Sequence, residues 1–366
     1  MVKKTIIPIF LIALLINYSS CFKEQPNFND GNLDVCIYVK IESEFYGINE
    51  YLDSTEVTLS TIEYDIPDIV ATTDSNGFVR FNGLSWANYY VTGLRKQYPV
   101  PTDYGFENTE LRGGQEVVPD NEVYVDTLYL TGPQPPGIKL NELYTCGPPN
   151  NFYYYSDQYF ELYNSSDDTL YLDGIQFCRM GSTGLVNVTY IFQFPGEPVI
   201  GREHPILPKT FVVCARTAFN HRKFVFQNRT SVDLSGADWE FVNESDPMDY
   251  DNPDVPNIGN ILDGHYRDFS VNLLTDVVLI ADGSDENYLD GIDINSVIDC
   301  VEYSSSPTHI KEIEEELDYG YTGIGMMTYS GKSRERKTAG FDTNNSTIDF
   351  EIISKPTVGY QHERDK

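Results

Sequence analysis

Histidine is scarce in this chain, with five residues in 366, and no two of them form an HExxH pair. That pair is the usual zinc-protease signature, so nothing in the sequence supports such an enzyme. The G-x-S-x-G elbow of common serine hydrolases is also missing. Gly331-Lys332-Ser333 matches the end of a phosphate-binding loop, but the glycine required five places earlier is Met326. These absences remove the enzyme classes that short motifs reveal most readily.

Basic residues are also few, because 25 Lys and Arg stand against 56 Asp and Glu, for a formal net charge of −31. A chain this acidic repels phosphate backbones, so we expect no nucleic-acid partner. The hydrophobic fraction of 40% is that of a folded protein, and the aromatic fraction of 13% favours strands. A chain of 366 residues is long enough for two domains.

The N-terminus has the pattern of a secretory signal. Two lysines precede an apolar run at 6–16, which is too short to span a bilayer as a helix. Small residues then lead to Cys21, as at a bacterial lipoprotein processing site. We expect residues 1–20 to be removed, Cys21 to be diacylated as a membrane anchor, and residues 21–32 to form a tether. The protein would then be held at the outer membrane, exposed at the cell surface. The alternative is an ordinary cleaved signal that leaves a free cysteine.

The first predicted domain spans residues 33–131 and opens with alternating apolar residues typical of strands. Asp74-Ser75-Asn76-Gly77 predicts a hairpin turn, because glycine supplies a positive φ. A pattern T-D-x-x-G-x-[FY]-x-F-x-x-L-x-x-x-x-Y is met at Asp74, Gly77, Phe81, Leu84 and Tyr89. On these residues the segment resembles the carboxypeptidase regulatory-like, or transthyretin-like, β-sandwich. The resemblance implies a spacer or a docking module.

A proline-rich linker at residues 132–137 is predicted to space the two domains at a loosely fixed angle. The second domain, 138–361, opens with I-x-L-N-E-L, Y-F-E-L-Y-N and L-Y-L-D-G, and residues 330–350 carry S-x-x-R followed by D-x-N-N-S-x-x-D-F. These runs resemble the lamin-tail-like family, which is an immunoglobulin-type β-sandwich. We therefore expect an all-β protein with two immunoglobulin-like β-sandwich domains in tandem after a lipoprotein signal peptide.

The two domains together resemble an uncharacterised surface lipoprotein family of Gram-negative, Bacteroides-type bacteria. The resemblance implies a non-enzymatic accessory that binds a ligand or docks beside a TonB-dependent transporter, which is an outer-membrane β-barrel. Two alternatives stay open. One is a glycan-binding module, because tyrosine rings can stack on sugars. The other is a hydrolase that uses paired carboxylates.

Two insertions at 244–267 and 284–293 interrupt the second domain, beside a tyrosine-rich segment at 152–155. Loops longer than about twelve residues are commonly functional or disordered, and scaffolds carry binding residues on their loops. Packing of the rings in the core is the alternative for these tyrosines. The predicted contact residues are Tyr153, Tyr154, Tyr155, Tyr250, Asp251 and Tyr266.

Aspartates crowd in the same insertions and predict a Ca²⁺ site, because calcium prefers several oxygen ligands. The alternative is solvated loops that hold no ion. The predicted metal ligands are Asp246, Asp249, Asp251 and Asp254 around the first insertion, and Asp282, Asp285, Asp290 and Asp293 around the second.

Five cysteines remain beside Cys21, so they cannot all pair internally. Cys146 and Cys178 are the predicted disulfide in an oxidising compartment. Cys36, Cys214 and Cys300 lie in strand patterns, where cysteine acts as a small hydrophobe.

Two further stretches of the second domain lead to predictions. Residues 307–317 predict the chain's one clear helix, with Ile310, Ile313 and Leu317 on one face. A basic cluster predicts either internal ion pairs or a docking patch for acidic partners, and it consists of Lys332, Arg334, Arg336 and Lys337.

Overall fold

The computed structural model describes residues 31–43, 46–61, 67–102, 105–149, 153–181, 184–224, 230–262 and 264–363. The predicted signal peptide and Cys21 lie outside these ranges. Within them, no helix is both long and apolar enough to cross a membrane. The described chain is all-β, as predicted, and its only α-helices are single turns at α1 (His221–Phe224) and α2 (Ser346–Asp349).

Eight strands build the first domain as two four-stranded sheets. In one sheet β1 pairs with β2, β5 and β8; the other has the order β4-β3-β6-β7. Alternate residues of β1 face the space between the sheets, and Val35, Ile37 and Val39 are fully buried there. The strands are β1 (Leu33–Ser43), β2 (Ile48–Tyr51), β3 (Glu56–Thr61), β4 (Ile69–Thr72), β5 (Phe78–Leu84), β6 (Tyr89–Thr102), β7 (Gly105–Val117) and β8 (Val123–Leu130).

The predicted turn at Asp74–Gly77 is present, but it does not close a hairpin. The Asp74 carboxylate accepts the N–H groups of Asn76 at 2.8 Å and Phe78 at 3.0 Å, and Gly77 has φ +70°. The strands on either side, β4 and β5, belong to different sheets. The turn therefore carries the chain from one layer of the sandwich to the other.

The second domain is one eleven-stranded sheet, with a small two-stranded sheet of β11 and β14 beside it. The order of the large sheet is β19-β18-β12-β13-β17-β16-β15-β10-β9-β20-β21. The strands are β9 (Ile138–Tyr144), β10 (Tyr159–Asn164), β11 (Leu170–Tyr171), β12 (Gln176–Met180), β13 (Val188–Gln193), β14 (Pro205–Ile206), β15 (Phe211–Ala215), β16 (Trp239–Val242), β17 (Asn257–Asn260), β18 (Thr275–Ala281), β19 (Val297–Ser304), β20 (Ser333–Arg336) and β21 (Phe350–Ile353).

This sheet folds over on itself, so that its two halves face each other like the layers of a sandwich. Phe160 of β10 contacts Phe177 of β12 with ring centroids 5.0 Å apart, although four strands separate β10 from β12 in the sheet. Phe241 and Phe269 stack on each other at 4.3 Å, and each contacts both of these rings edge-on. The sheet closes where the Asp299 carboxylate of β19 accepts the Leu140 N–H of β9 at 2.7 Å. We call this junction of β19 with β9 the seam.

Strand direction sorts the loops of the second domain between two ends. Strand β9 runs away from the linker, so we call the end of the domain at Tyr144 the far end. Strand pairing places one end of each of four other strands there too, at Ala215, Val188, Thr275 and Ser333. The loops that begin at the far end are 145–158, 181–187, 216–238, 243–256, 261–274 and 305–332. Those after β15 and β16 lead into parallel strands, and 305–332 also reaches back to the linker end, where the Tyr319 N–H donates to the carbonyl of Asn344 at 2.7 Å. The opposite end is the linker end, where the first domain attaches.

Direct contacts join the two domains besides the linker. The Arg112 guanidinium of β7 lies 4.3 Å from the ring centroid of Phe341 and donates to Thr338 Oγ1 at 3.3 Å. In the linker, the Gln134 N–H donates to the carbonyl of Asp342 at 2.6 Å. All three second-domain residues belong to the loop between β20 and β21, so this linker-end loop carries the interface.

The predicted helix at 307–317 is wrong, because this segment forms turns. The buried carboxylate of Glu302 accepts the N–H groups of Glu312 at 2.8 Å and Ile313 at 3.3 Å, and it pairs with Lys311 Nζ at 2.6 Å. A helix would need those N–H groups for carbonyls four residues back. A long-range side chain thus replaces the helical hydrogen bonds.

The predicted disulfide between Cys146 and Cys178 is also wrong in this structure, where both are buried free thiols. Cys178 of β12 packs with Val277, Leu279 and neighbouring residues on the outer face of the sheet. Cys146 lies in a separate buried cluster and contacts Ser330 Oγ at 3.4 Å. The two sulfurs therefore belong to different layers.

Candidate functional site

Exposed tyrosines from separate loops gather at the far end of the second domain. The side chain of Tyr153 is 75% exposed, and its ring meets that of Tyr329 edge-on with centroids 5.7 Å apart. Tyr155, Tyr250 and Tyr266 are 38%, 45% and 69% exposed. We call these five residues the tyrosine surface. Three of the loops that carry them are far apart in sequence, so the fold alone brings them to one end.

Two rings of the tyrosine surface sit on backbone in the left-handed region. Tyr153 has φ 57° and Tyr329 has φ 56°, a conformation that bulky residues rarely adopt. The Tyr329 N–H donates to the carbonyl of Cys146 at 2.7 Å, and Gly331 N–H donates to that of Gly147 at 3.0 Å. These bonds tie the two loops together. Backbone strain of this kind concentrates at binding and catalytic sites, which motivates a functional reading here.

An arginine joins Tyr155 to the loop that carries Tyr266. The Arg216 guanidinium lies 4.9 Å from the Tyr155 ring centroid. It also donates to one carboxylate oxygen of Asp268, from Nε at 2.8 Å and from Nη2 at 2.6 Å. Since Asp268 follows Tyr266 by two residues, this pair holds the 261–274 loop beside Tyr155.

Tyr154 is half-buried and acts as support for its exposed neighbours. Its hydroxyl bonds to His221 Nδ1, while His221 Nε2 lies 3.0 Å from the Thr217 carbonyl. A carbonyl can only accept, so Nε2 carries the proton and Nδ1 accepts from Tyr154. Burial lowers the pKa of His221 to about 4, which keeps the ring neutral. Phe219 then bridges His221 to Tyr250, with centroids 4.2 and 5.1 Å away.

The aspartates of the first insertion lie at the far end, on the loop after β16. Asp249 accepts the Asn243 N–H at 2.7 Å, Asp246 accepts that of Met248 at 2.9 Å, and Asp251 accepts from Asn257 at 3.2 Å. Burial, and then the nearby carboxylates of Asp268 and Asp246, raise the pKa of Asp249 to about 7.

The aspartates of the second insertion follow β18 at the linker end. Asp282 accepts from Ser284, Asp290 from Asn287 and Asp293 from Asn295, with distances of 2.6 to 2.9 Å. Asp285 accepts the Asp293 N–H at 2.8 Å. Each set of aspartates thus bonds within its own loop, and calcium binding stays a prediction.

Within the described ranges, three potential metal-ligand atoms converge within 4.8 Å only at Asp173, Glu203 and His204. Asp173 accepts the N–H groups of Glu203 at 2.8 Å and His204 at 2.9 Å. Burial raises the pKa of Asp173, but these hydrogen bonds outweigh it and lower the pKa below its usual value. The three side chains therefore lie close together because the Asp173 carboxylate holds a turn of the backbone.

The two arginines of the basic cluster are internal and favour the alternative of internal ion pairs, while Lys332 is exposed and Lys337 is half-buried. Arg336 is 1% exposed and lies at the seam, where it pairs with Asp299 at 3.0 Å, Asp342 at 3.1 Å and Asp349 at 3.4 Å. Arg334 is fully buried, with its guanidinium 4.2 Å from the Tyr303 ring centroid.

Buried glutamates form a row across adjacent strands on the outer face of the sheet. Glu161, Glu142 and Glu335 are direct cross-strand partners on β10, β9 and β20. The C-terminal segment crosses this row. It donates backbone N–H groups from Thr357 to Glu142 at 3.1 Å, from Gly359 to Glu161 at 2.7 Å and from His362 to Glu335 at 2.9 Å. These close carboxylates are therefore covered by the chain itself.

Comparison with known proteins places the chain near one family. Residues 281–357, from the end of β18 to just beyond β21, match the family described as Protein of unknown function (DUF4876). A crystal structure of a DUF4876 family protein from Bacteroides thetaiotaomicron is 23% identical, with a TM-score of 0.55, and the match covers 89% of this chain and 96% of that chain. At this identity the likeness shows a shared fold alone.

A Pseudomonas aeruginosa protein proposed to bind carbohydrate is 14% identical, with a TM-score of 0.24, and the match covers 29% of this chain and 92% of that chain. A score this low carries no inference about fold or function. Among curated proteins, none matches the chain.

Proposed function

We propose that this protein is a lipid-anchored binding protein of the cell surface, and that its tyrosine surface contacts the ligand or partner. One observation carries the proposal: four exposed tyrosines on separate loops, and the half-buried Tyr329 in contact with Tyr153, lie at the end of the second domain that faces away from the linker. Tyrosine combines a large apolar ring with a hydroxyl, and binding surfaces are enriched in it for that reason. The left-handed backbone at Tyr153 and Tyr329 supports the same assignment.

The first domain fits the role of a spacer between anchor and binding surface. It attaches at the linker end through the contacts of Arg112 with Phe341 and Thr338. We include in this proposal that the first domain is carboxypeptidase regulatory-like and the second lamin-tail-like. We also include that the protein works beside an outer-membrane transporter.

Among the described residues, the close glutamates of the second domain do not favour the hydrolase alternative. Glu142 and Glu161 lie side by side but are completely buried under the C-terminal segment, so a substrate has no access to them. Asp268 at the far end is engaged by Arg216 at 2.6 Å.

The tyrosine surface can be tested with a double variant, Tyr153→Ser with Tyr266→Ser, in the full chain. Both side chains are largely exposed, so the fold should persist while ring contacts with a partner are lost. We expect retention of solubilised outer-membrane proteins, and of glycans on a printed array, to fall by roughly tenfold or more.

The matched control for this experiment is Tyr51→Ser, which removes a tyrosine that is 56% exposed on the first domain. The control should bind as the unmodified chain does. Equal binding by the double variant and the control would refute this placement of the surface.

The anchor gives a separate prediction. Without the sulfur of Cys21 there is no site for the acyl chains that hold the protein at the membrane. We expect Cys21→Ala to move the protein from the membrane fraction to the soluble fraction on cell fractionation. Cys36→Ala, which removes a buried thiol of β1, should remain with the membrane. Membrane retention of Cys21→Ala would contradict lipid anchoring at that residue.

A further inference from the structure

A pocket of about 470 Å³ opens at the far end, between the ends of β12 and β18 and the 305–332 loop. This volume lies within the range of roughly 300–1,000 Å³ common for small-molecule sites. Its wall is part apolar and part polar, and the polar residues include Arg179, Asn272, Asp276, Glu312 and Thr328. The sequence patterns gave no sign of it, because these residues come from four separate segments.

Arg179 is the fixed element of this pocket. Its Nε donates to the Asp276 carboxylate at 2.6 Å, and its guanidinium lies 5.1 Å from the ring centroid of Tyr190. Asp276 is itself held by the N–H groups of Asn272 at 2.8 Å and Val277 at 3.1 Å. Among the described residues, the two terminal nitrogens of Arg179 have no hydrogen-bond partner. Because Arg179 lines the pocket, this pair of donors is available to a ligand seated there.

Further hydrogen-bonding groups stand at the mouth. Asn272 is exposed, and its side-chain amide, with one acceptor and two donors, has no partner in the described chain. Thr328 is exposed as well and adds a hydroxyl. Paired donors on one side and an amide and a hydroxyl on the other match a ligand that carries several neighbouring hydroxyl groups.

The pocket adjoins the tyrosine surface on two sides. Tyr190, beneath Arg179, meets the ring of His265 edge-on at 4.1 Å, and His265 precedes the exposed Tyr266. On the other side Thr328 precedes Tyr329, which contacts Tyr153. A ligand seated in the pocket could therefore extend over tyrosine rings in either direction.

We infer that this pocket binds the terminal neutral hexose of a glycan, with Arg179 donating to two adjacent hydroxyl oxygens. An acidic sugar is disfavoured because the carboxylates of Asp276 and Glu312 line the pocket and the chain has a net charge of −31. Sugar rings beyond the terminal one would stack on the tyrosines. The inference rests on the proposed function, since it names the ligand class of that surface.

The test uses the full chain and a defined panel of probes: oligosaccharides ending in glucose, galactose, mannose or N-acetylglucosamine, and the same chains ending in the corresponding uronic acid. Binding is measured by titration calorimetry. We expect at least one neutral probe to bind roughly tenfold or more tightly than its uronic counterpart. Arg179→Lys, which keeps the charge but removes the paired donors, should weaken that binding by about tenfold.

Two further variants keep the result interpretable. Asn272→Ala removes an exposed amide at the mouth, so it should weaken binding by several fold even if Arg179→Lys proves unstable. Arg202→Lys is the matched control, because Arg202 also lies over a tyrosine, Tyr171, at 4.8 Å but outside this pocket. The control should bind the probe as the unmodified chain does.

The outcomes separate this inference from the proposed function. The pocket assignment is overturned if no neutral probe binds, if the uronic probes bind more tightly, or if Arg179→Lys and Asn272→Ala both bind normally. In each of these cases the proposed function still stands if the Tyr153 and Tyr266 double variant loses its outer-membrane partner. It falls only if that double variant also binds normally.

Discussion

Replacing Arg336 with methionine is expected to destabilise the second domain by at least about 3–5 kcal/mol, the typical cost of leaving a buried charge unpaired. The guanidinium is 1% exposed and pairs with Asp299, Asp342 and Asp349. Burial alone would raise the pKa of Asp342, but the positive charges of Arg336 and Lys139 hold it at about 2. Without Arg336, three buried carboxylates would face one another across the seam.

The loss should appear in urea unfolding followed by the fluorescence of Trp239, which is 7% exposed in the second domain. The other tryptophan, Trp86, is replaced by phenylalanine in every variant. The matched control is Arg80→Met, because the pair of Arg80 with Asp34 is half-exposed and such pairs contribute roughly 0–1 kcal/mol. An Arg336→Met domain as stable as the control would show that the seam does not depend on this ion cluster.

Most of the strands could be predicted from patterns among residues that are neighbours in sequence. Alternating apolar residues in β1 mark a strand with one buried face, and Asp74 with Gly77 marks a turn, because both signals depend on neighbouring residues. The second domain's opening strands, β9 and β10, could be read in the same way. What the pattern could not show is that β4 and β5 lie in different sheets, since partner choice depends on contacts distant in sequence.

The wrong helix prediction and the undecided basic cluster share one physical cause, which is the competition of distant side chains with local preference. Residues 307–317 have a helical pattern, but the Glu302 carboxylate takes the N–H groups of Glu312 and Ile313. The basic cluster contains a charged run typical of a surface, yet Arg336 finds three buried aspartates. Neither partner set is adjacent in sequence, so no local rule reveals it.

The tyrosine surface was predictable only in part. Long loops and exposed aromatic residues pointed to Tyr153, Tyr155, Tyr250 and Tyr266, and the structure places all four at the far end. Tyr329 was missed because its contact with Tyr153 spans a large sequence separation. Tyr154 was grouped with its neighbours, although its hydroxyl is directed to His221. Only the fold decides which tyrosine of a run is exposed.

The row of buried glutamates makes stability depend on pH in an unusual direction. Burial, and then the neighbouring carboxylate of Glu142, raise the pKa of Glu161 from 4.5 to about 9. Burial likewise raises the pKa of Glu142 to about 7. The folded domain therefore holds protons that the unfolded chain releases above 4.5. The stability that these groups contribute is fully present below 4.5 and is lost as the pH rises through about 7 and 9.

Replacing Glu161 with glutamine is accordingly expected to stabilise the second domain at alkaline pH. Glutamine keeps an acceptor for the Gly359 N–H, now 2.7 Å from the carboxylate, and cannot ionise. One proton difference corresponds to about 1.4 kcal/mol per pH unit, so Glu161→Gln should gain on the order of 3 kcal/mol over the unmodified chain between about pH 6 and pH 9. Urea unfolding followed by Trp239 measures this at each pH. Glu197→Gln, which alters an exposed carboxylate, should follow the unmodified chain throughout. If the free energy of unfolding of Glu161→Gln fell with pH as steeply as that of the control, proton binding at the glutamate row would not explain the loss of stability at alkaline pH.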